Sequence, residues 1–464
     1  MADGLLNKAS IILTPTGYKA GTLYNVAPVV EPYEDFDFAR ASVASRVNSS
    51  GLVEIVGRTL SSELITDGGF PNLDNWSVNG GDYATIVDGA LNSNNTENGN
   101  WYAENISQNI SFVNGKTYKV TFKAKNISGG LNLRLTQSAN IIFTQNITST
   151  FVDYVVYYTA NADNGSIRIF CNDDVGEFQI DNISVKEIID TNNIPRISYD
   201  SNGDNGHILL EPTTTNLYLN TDTLSTQNVS TSASDYSVSF YGTGTISFSG
   251  SYSGSLVGTG VNDRVSLTFT ATSGTLTSTV SGSVTNAQIE NLGYSTSYMP
   301  SLSTQGVRAS ETANGAGSAD LINSTEGVLY AEIAALANDG TNRTIALNKD
   351  TNDRIQMYFN TSTNGLSIFY KAQSGATSFI MNETLTDVTL FNKICFKWKA
   401  NDFALWVNGV ETDTVSSGVT PTANTLNALE FEMFNDSSPF YGKCKALAVF
   451  NEALSDDELT QLTT

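Results

Sequence analysis

An all-β architecture of tandem β-sandwich or jelly-roll domains is what this chain predicts, and three observations predict it. Only 15% of its 464 residues are charged. Asn, Ser, Thr, Gly and aromatic residues are abundant, which suits twisted sheets joined by tight turns. Apolar and polar residues alternate over short runs bounded by turn residues, as in Lys119-Val120-Thr121-Phe122-Lys123. The length exceeds what one hydrophobic core serves, so about three domains of ~100–150 residues are expected.

Residues 1–62 read as extended pieces broken by Pro15, Gly17, Gly21, Pro28 and Pro32. They hold too few apolar residues for a core of their own and need a surface to lie on. That surface is either another protein, which makes the segment an anchor, or the chain's own downstream domains. Residues 63–188 form a first domain, opening with ELITDGGFPNLDNWSV and closing with FQIDNISVKE. Within it Asn114-Gly115 lies between two alternating runs, a hairpin signal, and FVDYVVYYTAN and GSIRIF are strand runs. Residues 189–315 supply a second β-sandwich from SDYSVSFYGTGTISFSG and DRVSLTFTATSG. A weak repeat, QIDN at 179–182 and QIEN at 288–291, closes both regions. Asn314-Gly315-Ala316-Gly317-Ser318 reads as a linker, and residues 316–464 form the last domain. There ALWVNG fits a strand entering a turn at Asn408-Gly409, and Ser455-Asp456-Asp457-Glu458 is a capping box opening a short helix.

The net charge of −23 works against a polyanionic partner, and the 24 Lys and Arg are scattered along the sequence, so no nucleic-acid partner is expected. No apolar run approaches the ~20 residues of a membrane helix, so no membrane insertion is expected. Asp3 stands where a signal peptide carries basic residues, and synthesis and folding in a cytoplasm are expected. Cys171, Cys395 and Cys444 are odd in number and far apart, which reads as buried thiols; Cys395 and Cys444 fall in one domain, where neighbouring strands would bring them together.

Catalysis has little to work with. His207 is the only histidine, its setting GDNGHILLEP reads as a turn before a buried strand, and no GxSxG-like nucleophile turn occurs. A paired-carboxylate glycosidase announces itself by no motif, because its two acids come from distant strands. Sugar recognition needs an exposed ring with polar groups beside it. Trp101-Tyr102, after the polar run NSNNTENGN, is the candidate carbohydrate-binding platform, whereas Trp76, Trp398 and Trp406 read as core.

Three segments carry a resemblance: FDFARASVASRVNSSGLVE (36–54), NIPRISYDSNGDNGHILLEPTTTNL (193–217) and QIENLGYSTSYMPSLSTQGVRAS (288–310). In this order they resemble words that recur in bacteriophage virion-surface proteins, the head or tail fibres and capsid decorations, and residues 5–28 are similar to the opening of that group. The resemblance implies localisation on the virion surface after synthesis in the host cytoplasm. It also implies contact with capsid or tail proteins through residues 1–62, and a homo-oligomeric assembly. In such proteins the first word runs almost directly into the second, so residues 63–188 read as an inserted module whose ends lie close in space. That module resembles the carbohydrate-binding jelly rolls attached to bacterial glycoside hydrolases. The likeness implies a host-surface glycan as ligand and a structural Ca²⁺ held by Asp181 and the neighbourhood of Asp67, although Pro71 stands after Phe70 where an acid is usual. GVLYAEIAA, CFKWKANDFALWVNGVE and KALAVFNEALSDDELTQL make residues 316–464 resemble laminin-G or concanavalin-like sandwiches. Both module types are normally non-catalytic. The function expected is therefore a virion structural protein that displays glycan-binding sandwiches for adhesion to host or mucus, and not an enzyme. The alternatives are a ligand-free decoration spacer and a glycan depolymerase.

Overall fold

Strands make up nearly all the regular structure of the computed structural model, which describes residues 4–27, 34–81, 83–95, 105–130, 132–171, 175–347, 352–433 and 437–464. The chain divides into two compact units, one made of Met1–Gly57 with Thr191–Thr464 and the other of Arg58–Asp190.

The Arg58–Asp190 unit is a two-sheet sandwich. One sheet runs Val152–Thr159, Thr117–Ser128, Gly176–Asp190, Ala90–Asn95, Ala84–Val87, with Arg58–Leu60 added on Gly176–Asp190. The other runs Asn140–Asn146, Asn132–Gln137, Ser166–Cys171, Asn105–Asn109, Ser77–Asn79. Strand alternation explains the packing: Tyr118, Val120, Phe122 and Ala124 point inward against Leu133, Leu135, Ile167 and Ile169, while the intervening lysines and threonines are half-buried. The hairpin expected at Asn114-Gly115 is not one. Asn105–Asn109 and Thr117–Ser128 belong to different sheets, and the turn arches between them, because Ile110 and Phe112 bury their side chains in the core on the way across.

The larger unit holds two sandwiches. In the C-terminal one, a five-stranded sheet (Thr377–Thr384, Gly365–Ala372, Arg354–Phe359, Arg343–Leu347, Leu429–Glu430) faces an eight-stranded sheet. That eight-stranded sheet draws on three distant parts of the chain. Its order is Ile197–Ser198, His207–Leu210, Gly442–Phe450, Glu326–Ala335, Asn392–Lys399, Phe403–Val407, Val410–Val415, and Ala9–Leu13 pairs with Gly442–Phe450. Asn408 and Gly409 both take positive φ in the two-residue turn between Phe403–Val407 and Val410–Val415. Ser455 and Glu458 cap the helix Asp456–Thr463 reciprocally. The second sandwich stacks a four-stranded sheet (Gln227–Thr231, Gly274–Ser281, Thr245–Gly250, Gly254–Val257) on a three-stranded one (Gly260–Ala271, Ser234–Gly242, Thr285–Glu290), over a core that includes Val238, Phe240, Ile246 and Ile289.

These arrangements alter the domain expectations. Of the two surfaces offered for the segment 1–62, the strand Ala9–Leu13 lies on the chain's own downstream domains: it is fully buried in the unit's largest sheet, where Ile11 and Leu13 complete the core. Regions 189–315 and 316–464 fall in one compact unit, because Ile197–Ser198 and His207–Leu210 are strands of the C-terminal sheet. Cys395 and Cys444 are buried free thiols on strands that flank Glu326–Ala335 on opposite sides, so they are not on neighbouring strands.

Residues 58–190 enter and leave the larger unit at a single point, where the Thr191 amide donates to the Gly57 carbonyl at 2.6 Å. Joining Gly57 to Thr191 through a short Gly/Ser bridge is therefore expected to leave the larger unit folded. A cooperative thermal transition of the excised chain checks this; loss of that transition would contradict it.

Candidate ligand groove and its buried charge network

The three segments singled out above meet inside the larger unit. Arg40 follows the strand Phe36–Ala39; Arg196 precedes Ile197–Ser198; Glu211 follows His207–Leu210; Arg308 ends Gly306–Arg308; Glu311 precedes Thr312–Asn314. All five side chains are buried and share one network. Glu311 accepts from Arg40 Nη1 at 2.6 Å, from Arg196 Nε at 2.9 Å and from Arg196 Nη2, and it also takes the Glu211 amide at 2.9 Å. Glu211 accepts from Arg196 Nη2 at 2.8 Å, Arg308 Nη1 at 3.0 Å, and the Ser297 amide and hydroxyl at 2.8 and 2.6 Å. Arg196 Nη1 also donates to the Ser45 carbonyl at 2.7 Å, which ties in the hairpin Ala44–Val47/Val53–Val56. Buried charges persist only when paired and hydrogen-bonded in this way.

Burial alone would raise the Glu211 carboxyl, but the opposing charges of Arg308 and Arg196 and the Ser297 bonds hold it down at about 2. Glu290, bonded to Thr296 and Gln288, goes the other way, since burial outweighs Arg308 and those bonds and raises it. An unfolded Glu titrates near ~4.3. Glu211 therefore stabilises the fold above that pH, and its contribution is lost as pH falls toward about 2. Glu290 has the opposite sign, stabilising below ~4.3 and losing that contribution as pH rises through its raised folded value. Glu211→Gln is expected to weaken the fold at neutral pH and to flatten the loss of stability between pH ~4.3 and 2, which urea unfolding at stepped pH measures.

Beside this network lie two cavities that share Arg46 and Tyr199 in their walls. The outer one, of about 400 Å³, is lined by Tyr18, Tyr199, Asn48, Ser49, Ser50 and Glu54 among others. The inner one, of about 210 Å³, adds His207, Glu211, Tyr241, Arg264, Ser295 and Lys443. Arg46 stands between them, donating to Glu54 at 2.6 Å and to the Tyr18 hydroxyl at 3.1 Å. His207 is buried, its Nδ1 lies 2.8 Å from the Asn205 carbonyl, and burial pushes it down to about 4, so its ring is neutral at physiological pH. This fits the structural role read from its sequence setting. Half-buried tyrosines next to amides, hydroxyls and a carboxylate are the chemistry that stacks on and hydrogen-bonds a sugar.

In the Arg58–Asp190 unit the residues expected at sites are placed as follows. Trp101 and Tyr102 lie outside the described residues. Trp76 is core, its ring 5.0 Å from that of Phe70. The opening turn and the closing strand do meet, with the Ile183 amide donating to the Gly68 carbonyl at 2.9 Å; a Cβ on Gly68 would sit 1.9 Å from the Ile183 oxygen, which explains the glycine. Asp181, however, pairs with Lys123 Nζ at 3.0 Å and accepts from the Asn182 amide at 2.7 Å, while the Asp67 carboxylate is bonded by Asn75. Among the described residues no group of three or more His, Cys, Asp or Glu is placed to hold a metal. The Asp67 and Asp181 carboxylates thus bond Asn75 and Lys123, and a structural Ca²⁺ at these two residues stays a proposal taken from the resemblance.

Sequence reasoning missed the groove. Tyr18 in residues 5–28 and Arg46 and Glu54 in residues 36–54 carried no assigned role, and Lys443 reads in GKCKALAVF as one of two solvent-facing lysines of an alternating strand. Only the packing of the second sandwich beside that strand encloses it.

Residues 318–460 match the family described as the concanavalin A-like lectin/glucanases superfamily. No curated protein matches the chain. Among solved structures, a leech intramolecular trans-sialidase is 19% identical at a TM-score of 0.27 over 32% of this chain, which spans only 26% of the enzyme. The CBM40 of a Ruminococcus gnavus sialidase is 14% identical at a TM-score of 0.28, over 32% of this chain and 93% of that one. A CBM4 structure is 20% identical at a TM-score of 0.22, over 30% of this chain and 99% of that one. No ligand or activity follows from likeness at this level.

Proposed function

We propose that the protein is a bacteriophage virion-surface part, a fibre or decoration on head or tail, that displays glycan-binding β-sandwiches for adhesion. The groove with Tyr18 and Tyr199 beside the buried charge network is the observation that carries the adhesive part of this reading. The virion context rests on the three phage-like segments, and the lectin-like match over residues 318–460 agrees with sugar binding. Trp101 and Tyr102 are a second proposed platform, in the inserted unit. Each site is weak by itself, and many copies on one particle give useful avidity without any reaction.

Purified protein mixed with host capsular or surface polysaccharide tests the reading. Retention is expected. Release of fragments would make it a depolymerase, and indifference would make it a spacer. Trp101→Ala is expected to lower retention with little change in melting temperature, since an exposed stacking ring contributes to the sugar site more than to the core; a melting temperature that drops instead would place Trp101 in the core.

A further inference from the structure

The inner cavity is electrostatically unlike the rest of a chain whose net charge is −23. Its ionic side chains are Arg46, Arg264, Lys443 and Glu211, with a neutral His207. Two of them are committed elsewhere: Arg46 to Glu54, and Glu211 to Arg196 and Arg308. The other two are cations without a carboxylate. Arg264 donates only to neutral oxygens, Ser239 Oγ at 2.7 Å and the Thr296 carbonyl at 2.5 Å, and its buried Nε has no partner. Lys443 has no hydrogen-bond or ion-pair partner among the described residues, and burial lowers its ammonium with only the charge of Glu211 opposing. Ser295 Oγ, in the same wall, is also buried and unpartnered.

We propose that this inner cavity binds the carboxylate of an acidic sugar, of the uronic acid class, with Lys443 and Arg264 as its charge partners. The inference deepens the glycan-binding reading of the groove and rests on it. Unpaired half-buried cations and orphaned buried donors are costly, and a ligand anion that supplies the missing acceptors recovers that cost on binding. A neutral sugar would leave both cations unpaired. The volume agrees: about 210 Å³ is below the ~300–1,000 Å³ of pockets for drug-sized ligands, so the cavity takes one sugar unit while its neighbours lie along the outer groove. Arg46 and Tyr199, common to both walls, stand where one unit would follow the next.

Calorimetric titration of the full chain at low salt with glucuronate, glucose and acetate tests this. Glucuronate is expected to bind saturably at one site, at least ~10-fold more tightly than glucose or acetate. Lys443→Met, which removes a side chain with no partner, is expected to weaken glucuronate at least ~10-fold with the melting temperature unchanged. Glucuronate binding no better than glucose, acetate binding as well as glucuronate, or an unaltered affinity in a folded Lys443→Met variant would each overturn the proposal. The comparison of the three probes on the unsubstituted chain decides even if the variant does not fold. Retention on polysaccharide without preference for an acidic sugar overturns this inference alone and leaves the adhesion reading standing.

Discussion

Arg196→Met is expected to lower the unfolding free energy of the larger unit by ~3–5 kcal/mol, the usual cost of removing one partner from a buried ion pair. Arg196 is fully buried and is the only one of the three arginines bound to both Glu211 and Glu311. Methionine fills part of the volume but leaves two buried carboxylates short of charge. Glu311 keeps only Arg40 and the Glu211 amide, and Glu211 keeps Arg308 and Ser297. Urea unfolding of the full chain measures the change. The Arg58–Asp190 unit has its own core, so its transition should not move. A loss smaller than about 1 kcal/mol would mean that the network is not a determinant of the fold.

Trp398→Ala is expected to cost a similar ~3–5 kcal/mol, for a different reason. The indole is fully buried against Phe396 in the C-terminal sandwich and its Nε1 donates to the Asn323 carbonyl at 3.2 Å. Gly327 makes room for it, since a Cβ there would lie 2.4 Å from the ring. Deletion leaves a cavity between two sheets that cannot collapse together. Trp406, by contrast, carries a buried Nε1 with no partner, so Trp406→Ala removes an unsatisfied donor with the ring and should cost less. Equal losses in the two variants, measured under the same denaturant, would show that the orphaned donor carries no penalty.

Composition and alternation were enough to read the fold class, because inward and outward positions of a half-buried strand differ in chemistry wherever the strand sits. They were not enough to assign strands to sheets. Asn105–Asn109 and Thr117–Ser128 have hairpin patterning and a hairpin turn, yet join opposite sheets, since alternation is the same for a neighbour beside a strand and a neighbour across the core. The partner of Ala9–Leu13 was not legible because five residues are too few to declare a strand 434 or more positions away, the separation between Leu13 and Leu447. The charge network was hidden for the same reason. Arg40, Arg196, Glu211, Arg308 and Glu311 are scattered singly, and each alone reads as a solvated surface charge. The structure gives a physical reason for the segments 36–54, 193–217 and 288–310 to stand together in one chain: they hold the arginines and a glutamate of one buried cluster, and Glu311 follows directly after the third.

This cluster acts as a unit, joining segments far apart in sequence. A double-mutant cycle on Arg196→Met and Glu311→Gln tests it most directly, with stability measured for both single variants and the pair. If the two side chains serve one network, the pair should cost less than the sum of the singles by more than ~0.5 kcal/mol, because removing both partners avoids leaving one charge buried alone. Costs that add to within ~0.3–0.5 kcal/mol would contradict the claim.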